Sequence, residues 1–442
     1  MGERNNTTLT RRGFLRRGVT AAGALALPCY IPASALGRGG AVAPSERIVM
    51  GGIGLGGRGS YDLGYMLTMQ DVQWVAVCDA LKGRRDAAKK RVDSQYDNTD
   101  CAVYGDFREL LAERTDVDAV LIATGDRWHA LASILAMRAG KDVYCEKPAC
   151  LTMTQGQAVM ETARRYRRVY QTGAQRLSEP HHVFAIEMAR SGRLGEIHTV
   201  YADCRWRDGL RHDWLPAQPE PPKDELDWDL WLGPSPWRPY NAGYVKGGGW
   251  YRFYDLATDV AMWGAHTVAQ ALAGLDMTDV SSIEFEYAGP DKTMVTHLSS
   301  GVKLVLFRVE GSVWKPCEYW HGACGERFDG PEGWAAAADG YSRPDVSSPK
   351  LLTNYQKVLA DYTGRTGRSL DHVRDFFDCI RSRRDPVANA KVMYHSMNIC
   401  LAADICERLK RNLKFDLRQA EFANDPEANR MRSRTMRPPY TI

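Results

Sequence analysis

The stretch that most constrains the fold is Arg47–Asp79, RIVMGGIGLGGRGSYDLGYMLTMQDVQWVAVCD. An apolar run, Ile48-Val49-Met50, leads into a glycine cluster, then a segment of helical spacing, then a β-rich run from Val72 to Cys78 that stops on Asp79. Gly54-Leu55-Gly56-Gly57-Arg58-Gly59 fits G-x-G-x-x-G, and Asp79 follows the last of these glycines by twenty residues. The pattern predicts a strand, a tight turn, a helix and a second strand. In such a unit, helix amides face a pyrophosphate and the carboxylate accepts hydrogen bonds from ribose hydroxyls. The other reading is a glycine-rich turn without a ligand, and Gly52 allows a second register.

The chain begins with a separate signal. Thr10-Arg11-Arg12-Gly13-Phe14-Leu15-Arg16, a mild apolar run from Gly18 to Leu27 and Ala33-Ser34-Ala35 read as a cleaved twin-arginine leader over residues 1–35. The run is too short to span a bilayer, so no membrane anchor is expected after cleavage. The leader holds five Arg and one Glu, and without it the formal charge falls from +4 to zero. Nothing in that balance supports nucleic-acid binding. The cysteines after Cys29 are scattered and form no C-x-x-C pair, so free thiols are expected. Cys317 and Cys324 flank His321, but the spacing fits no common zinc pattern and no metal site is expected.

Beyond Asp79, helical and strand patterns alternate through short loops as far as Val169-Tyr170-Gln171. That alternation predicts an α/β domain, a Rossmann-type parallel sheet covered on both faces, over residues 44–172. Ligands bind such sheets at the carboxyl ends of the strands. Three polar sets fall there: Gly54–Gly59, Thr124–His129 and Glu146–Pro148. From Gly173 the pattern changes to helices and antiparallel-type strands, giving an α+β domain over 173–415 and a tail over 416–442 that packs over the domains. Residues 207–250 form a long segment rich in Pro, Trp and Asp. Trp228, Trp231, Trp237 and Tyr240 could stack on sugar rings, but most are expected to pack the segment down. Gly325–Trp334 reads as a glycine-rich turn.

Four motifs carry a resemblance: Gly54–Gly59, IATGDRWHA at Ile122–Ala130, EKP at Glu146–Pro148 and QTGAQR at Gln171–Arg176. Their order resembles the glucose-fructose oxidoreductase / inositol dehydrogenase (Gfo/Idh/MocA) family. Asp227–Asn241, WGAH at Trp263–His266 and the tail Leu413–Tyr440 resemble its exported branch. The resemblance implies a nicotinamide-binding first domain and a second domain whose open, mostly antiparallel sheet walls a site for sugars, polyols or related carbohydrates. It also implies cofactor contacts from Gly54, Gly56, Gly57, Arg58, Gly59, Asp79, Thr124, Trp128, His129, Glu146 and Lys147. The substrate candidates are Arg176, Tyr254, Asp255, Asp259 and Trp263.

Lys147 and His266 are the candidate proton-handling residues. A partly buried lysine at a strand end has a lowered pKa and can exchange protons, but it could equally hydrogen-bond a sugar hydroxyl or pair with Glu146. On their own, Trp128 and His129 read as packing and capping residues, and a lone histidine such as His266 is usually structural. A helix over Ala257–Gly274 would place Asp259, Met262, Trp263 and His266 on one face. The family has Asp where this chain has Met262 and Ala269, and Pro where it has Gly125. Asp255 or Asp259 could stand in for the missing acids.

The implied cofactor is NAD, since the Asp79 carboxylate repels a 2′-phosphate, although Lys82, Arg84 and Arg85 leave NADP open. Export would require a tightly held cofactor and a periplasmic or otherwise exported enzyme. The leading expectation is an NAD(P)-dependent oxidoreductase acting on CH–OH groups. The alternatives are an NAD-dependent glycosidase or eliminase that oxidises, eliminates and reduces in turn, and a non-catalytic carbohydrate-binding protein. The expected partners are a small carbohydrate and a second copy of the chain, met through the C-terminal sheet.

Overall fold

The computed structural model describes residues 42–204, 209–276, 281–289, 293–307, 324–340 and 343–442. The leader, Cys317 and His321 therefore lie outside the described residues.

The strands and helices of the first half are β1 (Ile48–Ile53), α1 (Gly57–Met66), β2 (Val72–Cys78), α2 (Lys82–Tyr96), β3 (Ala102–Tyr104), α3 (Phe107–Glu113), β4 (Ala119–Ile122), α4 (Asp126–Arg138), β5 (Asp142–Cys145), α5 (Met153–Tyr166) and β6 (Tyr170–Thr172). The six strands pair in the order β3-β2-β1-β4-β5-β6, all parallel. Every residue of β4 and β5 is buried, as a sheet covered on both faces demands. Two caps set helix starts: Asp106 accepts from the Arg108 amide and Thr152 from the Gln155 amide.

The remaining elements are α6 (Pro180–Arg190), β7 (Thr199–Asp203), α7 (Trp228–Leu232), α8 (Ala242–Val245), α9 (Ala261–Leu275), β8 (Ser282–Phe285), β9 (Thr293–Leu298), β10 (Lys303–Phe307), β11 (Glu326–Gly330), β12 (Gly333–Ala337), β13 (Asp345–Val346), α10 (Tyr355–Thr366), α11 (His372–Ser382), α12 (Ala390–Leu409), β14 (Leu413–Asp416), β15 (Glu421–Phe422) and α13 (Pro426–Arg430). Nine of these strands form an open sheet ordered β13-β12-β11-β7-β10-β9-β8-β14-β15, in which only β7 and β10 run parallel. The Gly325–Trp334 stretch belongs to the β11–β12 hairpin instead of a simple turn. Its glycines and Pro331 sit at the strand ends and hide the alternation of Phe328 and Asp329.

The two sheets share helices. Val373, Phe376 and Phe377 of α11 join the core formed by Ile48, Met50 and Trp74 under the parallel sheet. α9 and α12 pack on each other, and α12 also meets α5. The nine described cysteines are all buried, and none forms a disulfide with another described cysteine. No helix among the described residues is long and apolar enough to cross a membrane.

Candidate active site at the strand ends of the parallel sheet

A cavity of about 660 Å³ opens where β1, β2, β4 and β5 end. Its floor is the glycine loop. Gly54 has φ +79, and a Cβ there would lie 2.6 Å from Thr124. A Cβ on Gly59 would lie 2.2 Å from the Gly54 carbonyl oxygen, so only glycine lets α1 come this close to β1. A Cβ on Gly57, by contrast, would meet open space. Asp79 ties the turn to β2: its Oδ2 accepts from the Leu55 amide at 2.8 Å and its Oδ1 from the Leu81 amide at 2.9 Å. Burial pushes its pKa up, against the pull of Arg84 and these amides. Of the three nearby cations, Arg84 lines the cavity. Arg85 binds the carbonyls of Asp79, Ala80 and Asp224, and Lys82 pairs with Asp86.

The second wall comes from the loops after β4 and β5. His129 ties them together, with Nδ1 2.7 Å from the Pro148 carbonyl oxygen and Nε2 3.1 Å from that of Thr124. Trp128 donates from Nε1 to the Leu230 carbonyl at 2.8 Å and packs edge-on against Phe107 and Tyr440. Both residues therefore anchor the wall as well as lining the cavity. Glu146 is a hub. Its Oε1 accepts from Arg58 Nε at 3.1 Å and from Gln175 Nε2 at 2.7 Å, and its Oε2 accepts from the Lys147 amide. Arg58 also pairs with buried Asp62, whose pKa rises to about 8 through burial and the nearby Glu146 charge.

Lys147 points away from Glu146 and into the cavity. Its Nζ donates to the Met262 carbonyl at 2.8 Å and lies 5.1 Å from the centre of the Trp263 ring. Burial lowers its pKa from 10.5, partly opposed by Glu146. His266 faces the same end of the cavity, its Nδ1 buried without a hydrogen-bond partner among the described residues. Burial, then the positive charges of Lys147 and Arg176, hold it well below 6.5, so the ring is neutral near pH 7. Arg176 also lines this end, paired with Asp339 at 2.6 Å and 2.8 Å.

Tyr254, Asp255 and Asp259 are placed elsewhere. α9 begins at Ala261, not Ala257, because residues 253–258 turn on themselves and the Thr258 amide bonds Asp126 instead. Asp255 pairs with buried Arg238, and Tyr254 lies between Arg408 and Arg434. Asp259 lies beside Asp404, whose pKa it and burial raise to about 7. Neither Asp255 nor Asp259 orients His266.

Residues 222–250, the later part of the Pro-, Trp- and Asp-rich segment 207–250, close the cavity from above. Trp228 and Trp231 stack at 4.7 Å within a core shared with Tyr244, Phe253 and Leu256. The segment is sewn to the end of β2: Leu81 bridges Leu226, and the Lys82 amide donates to Glu225 at 2.8 Å. Trp237 stays exposed beside Trp214. Arg127 is a site residue that motif reading passes over. Its Nε donates to the Trp231 carbonyl at 2.7 Å and its guanidinium lies 3.7 Å from the Trp231 ring centre. Its Nη1 is buried without a hydrogen-bond partner among the described residues, and burial pushes its pKa down to about 9. A Cβ on Gly125 would sit 2.2 Å from that Nη1, so glycine in place of the family's proline makes room for the arginine.

A parallel sheet with a glycine turn, an acid at the end of β2 and a cavity of dinucleotide size defines an NAD-binding fold. The family model described as the oxidoreductase family, NAD-binding Rossmann fold, matches residues 47–174, and that for the family's C-terminal alpha/beta domain matches residues 347–442. The chain belongs to this oxidoreductase family, Gfo/Idh/MocA, and carries its NAD-binding Rossmann domain. The inositol 2-dehydrogenase of Salmonella typhimurium is 31% identical over 151 residues, 34% of this chain and 43% of that protein. The alpha-N-acetylgalactosaminidase of Shewanella oneidensis is 29% identical over 162 residues, 36% of this chain and 35% of that one. The match thus spans less than half the length of either relative. Among solved structures, a dehydrogenase from Chromobacterium violaceum in complex with NADH and UDP-GlcNAcA has the same fold. Its TM-score is 0.58 at 15% identity, over 85% of this chain and 98% of that one. An aldose-aldose oxidoreductase from Caulobacter crescentus complexed with glycerol also shares the fold, with TM-score 0.51 at 18% identity over 84% and 100%.

Proposed function

We propose that the protein transfers hydride between a CH–OH carbon of a sugar, polyol or related carbohydrate and an NAD that it keeps through turnover. The observation that carries this reading is the convergence of Lys147, His266 and Trp263 at one end of a cavity whose other end is the glycine turn and Asp79. When bound, the nicotinamide supplies the reversible hydride acceptor. The protein's part is to position the sugar and move the hydroxyl proton. Lys147, with one N–H fixed on the Met262 carbonyl, turns the rest of its amine toward the substrate. As neutral amine it takes the proton during oxidation, and as ammonium it returns it during reduction. Neutral His266 offers a second polar contact for a hydroxyl, Trp263 a face for a sugar ring, and Arg176 a fixed donor.

Retention of the cofactor is supported by the segment sewn across the cavity at Leu81–Leu226 and Arg127–Trp231. The leader supports export by the twin-arginine route, and retention is what such a location needs, because no dinucleotide pool exists outside the cytoplasm. The working division is 44–172, 173–415 and a tail, with a second copy of the chain meeting the open face of the nine-stranded sheet. A second reading, hydrolysis by oxidation, elimination and reduction, is favoured by the glycosidase among the relatives.

The test is purification without added cofactor, mass spectrometry of what dissociates on denaturation, and absorbance at the reduced-nicotinamide band as candidate sugars are added. A stoichiometric dinucleotide that is reduced by a sugar supports the proposal. A folded sample that lacks one and takes none up rejects it. Cleavage of a glycoside with no net change in absorbance selects the second reading.

A further inference from the structure

A second cluster lies at the start of α6, outside the cavity lining, where the chain reads Glu179-Pro180-His181-His182. Glu179 makes no side-chain cap to its helix. Its Oε2 instead lies 3.9 Å from His181 Nε2 and 3.8 Å from His182 Nε2, and one ligand atom from each residue falls within 4.8 Å of the others. Asp339, just past β12, brings Oδ1 to 4.0 Å from His182 Nε2. These separations are too long for hydrogen bonds. They suit atoms that share one ion, each needing to close by about 0.5 Å to reach bond lengths of ~2.0–2.2 Å.

The histidines are oriented for that task. Both Nε2 atoms are buried without a hydrogen-bond partner among the described residues, and the His182 side chain is 0% exposed. Their other nitrogens are held from behind: His182 Nδ1 lies 2.9 Å from each carboxylate oxygen of Glu326 and 2.7 Å from the Gln270 Nε2 that also bonds Glu326, and His181 hydrogen-bonds the Ala338 backbone, which falls to Nδ1. An imidazole whose Nδ1–H is given to a carboxylate or carbonyl presents its Nε2 lone pair, the second-shell arrangement of metal-ligating histidines. Glu179 and Asp339 offer two carboxylates to a cation, Asp339 being shared with Arg176, while burial pushes the Glu326 carboxyl well above the usual carboxylate range. Glu179 at 37% and His181 at 14% exposure leave a path from solvent.

We propose that Glu179, His181 and His182, with Asp339 as the fourth ligand, bind one divalent transition-metal ion, Zn²⁺ by the nitrogen and oxygen donors offered. The ion sits behind Arg176 and touches neither the dinucleotide turn nor Lys147. Through the shared Asp339 it fixes where the Arg176 guanidinium stands, so it is a positioning device for the substrate end of the cavity. The inference does not rest on the redox reading.

The test uses the full chain with its cofactor bound, stripped with EDTA and desalted, then titrated with ZnCl₂ against a chromophoric chelator and, separately, with CoCl₂. One ion per chain, retained through gel filtration and raising the thermal midpoint, is expected, as are visible d–d bands for the cobalt form. Glu179→Gln and His181→Gln, both partly exposed and expected to fold, should each weaken binding at least tenfold and abolish those bands, whereas His297→Gln should change neither. Retention of the ion by both cluster variants, or no binding below millimolar metal, would overturn the assignment and leave the pair as neutral packing histidines.

Discussion

At its dinucleotide end the cavity is walled mostly by main chain. Gly54 to Gly59, Asp79 and the loop at Thr124 follow β1, β2 and β4, and the close approaches at Gly54 and Gly59 depend on the absence of side chains. At the other end the wall is side chain: Lys147 reaches across 115 residues to the Met262 carbonyl, and Arg176 spans 163 to Asp339. The first end suits what is common to every NAD, and local geometry suffices. On the proposed function the second end selects the carbohydrate, and it is assembled from distant segments whose joint geometry can vary without disturbing the cofactor end.

Lys147→Met should give the sharpest separation of the two ends. It removes the proton carrier, and general acid–base catalysis is worth roughly 10²–10⁴-fold, so hydride transfer should fall by about that factor while bound dinucleotide stays stoichiometric. Loss of the cofactor together with the rate would merge the two ends. Gly59→Val should do the reverse. Its Cβ would fall 2.2 Å from the Gly54 carbonyl oxygen, an overpacking of about 1–3 kcal/mol seen as a lower urea midpoint and loss of bound dinucleotide.

Acid offers a milder probe. Burial holds His266 and His372 below 6.5, so each is neutral in the fold while its unfolded counterpart takes up a proton as pH falls below about 6.5. Their stability contribution is intact above that pH and lost below it, at up to ~1.4 kcal/mol per pH unit for each ring. Urea midpoints at pH 7.5, 6.5 and 5.5 should decline accordingly, and His266→Gln should remove one ring's share of the slope. Gly125→Ala should act more gently still. It pushes the Arg127 guanidinium off Trp231, loosening the closing segment by about 1 kcal/mol, which stopped-flow displacement would read as faster cofactor release. Trp237→Ala, on the exposed side of the same segment, should shift stability by less than ~0.5 kcal/mol and leave release unchanged.

The parallel sheet, the glycine turn, Asp79 and the inward lysine were legible because each is written in a few adjacent residues: a period of two, a spacing of twenty, a charged residue at a strand end. The helix after residue 257 was harder. Its apolar spacing runs smoothly back to Ala257, but Asp126 takes the Thr258 amide, so Asp259 leaves the expected face and settles beside Asp404. Arg127 with Trp231, and Glu179 with Asp339, are meetings of segments that no local periodicity records. Gly125 could be read only as a departure until its neighbour's guanidinium was seen filling the space.

The seam between Leu81 and Leu226, with the Lys82 amide on Glu225, is made of main-chain bonds at the mouth of the ribose site. On the proposed function, parting of these main-chain bonds is the step that would let a held dinucleotide exchange, so the hold on the cofactor is set by backbone pairing and not by any one side chain.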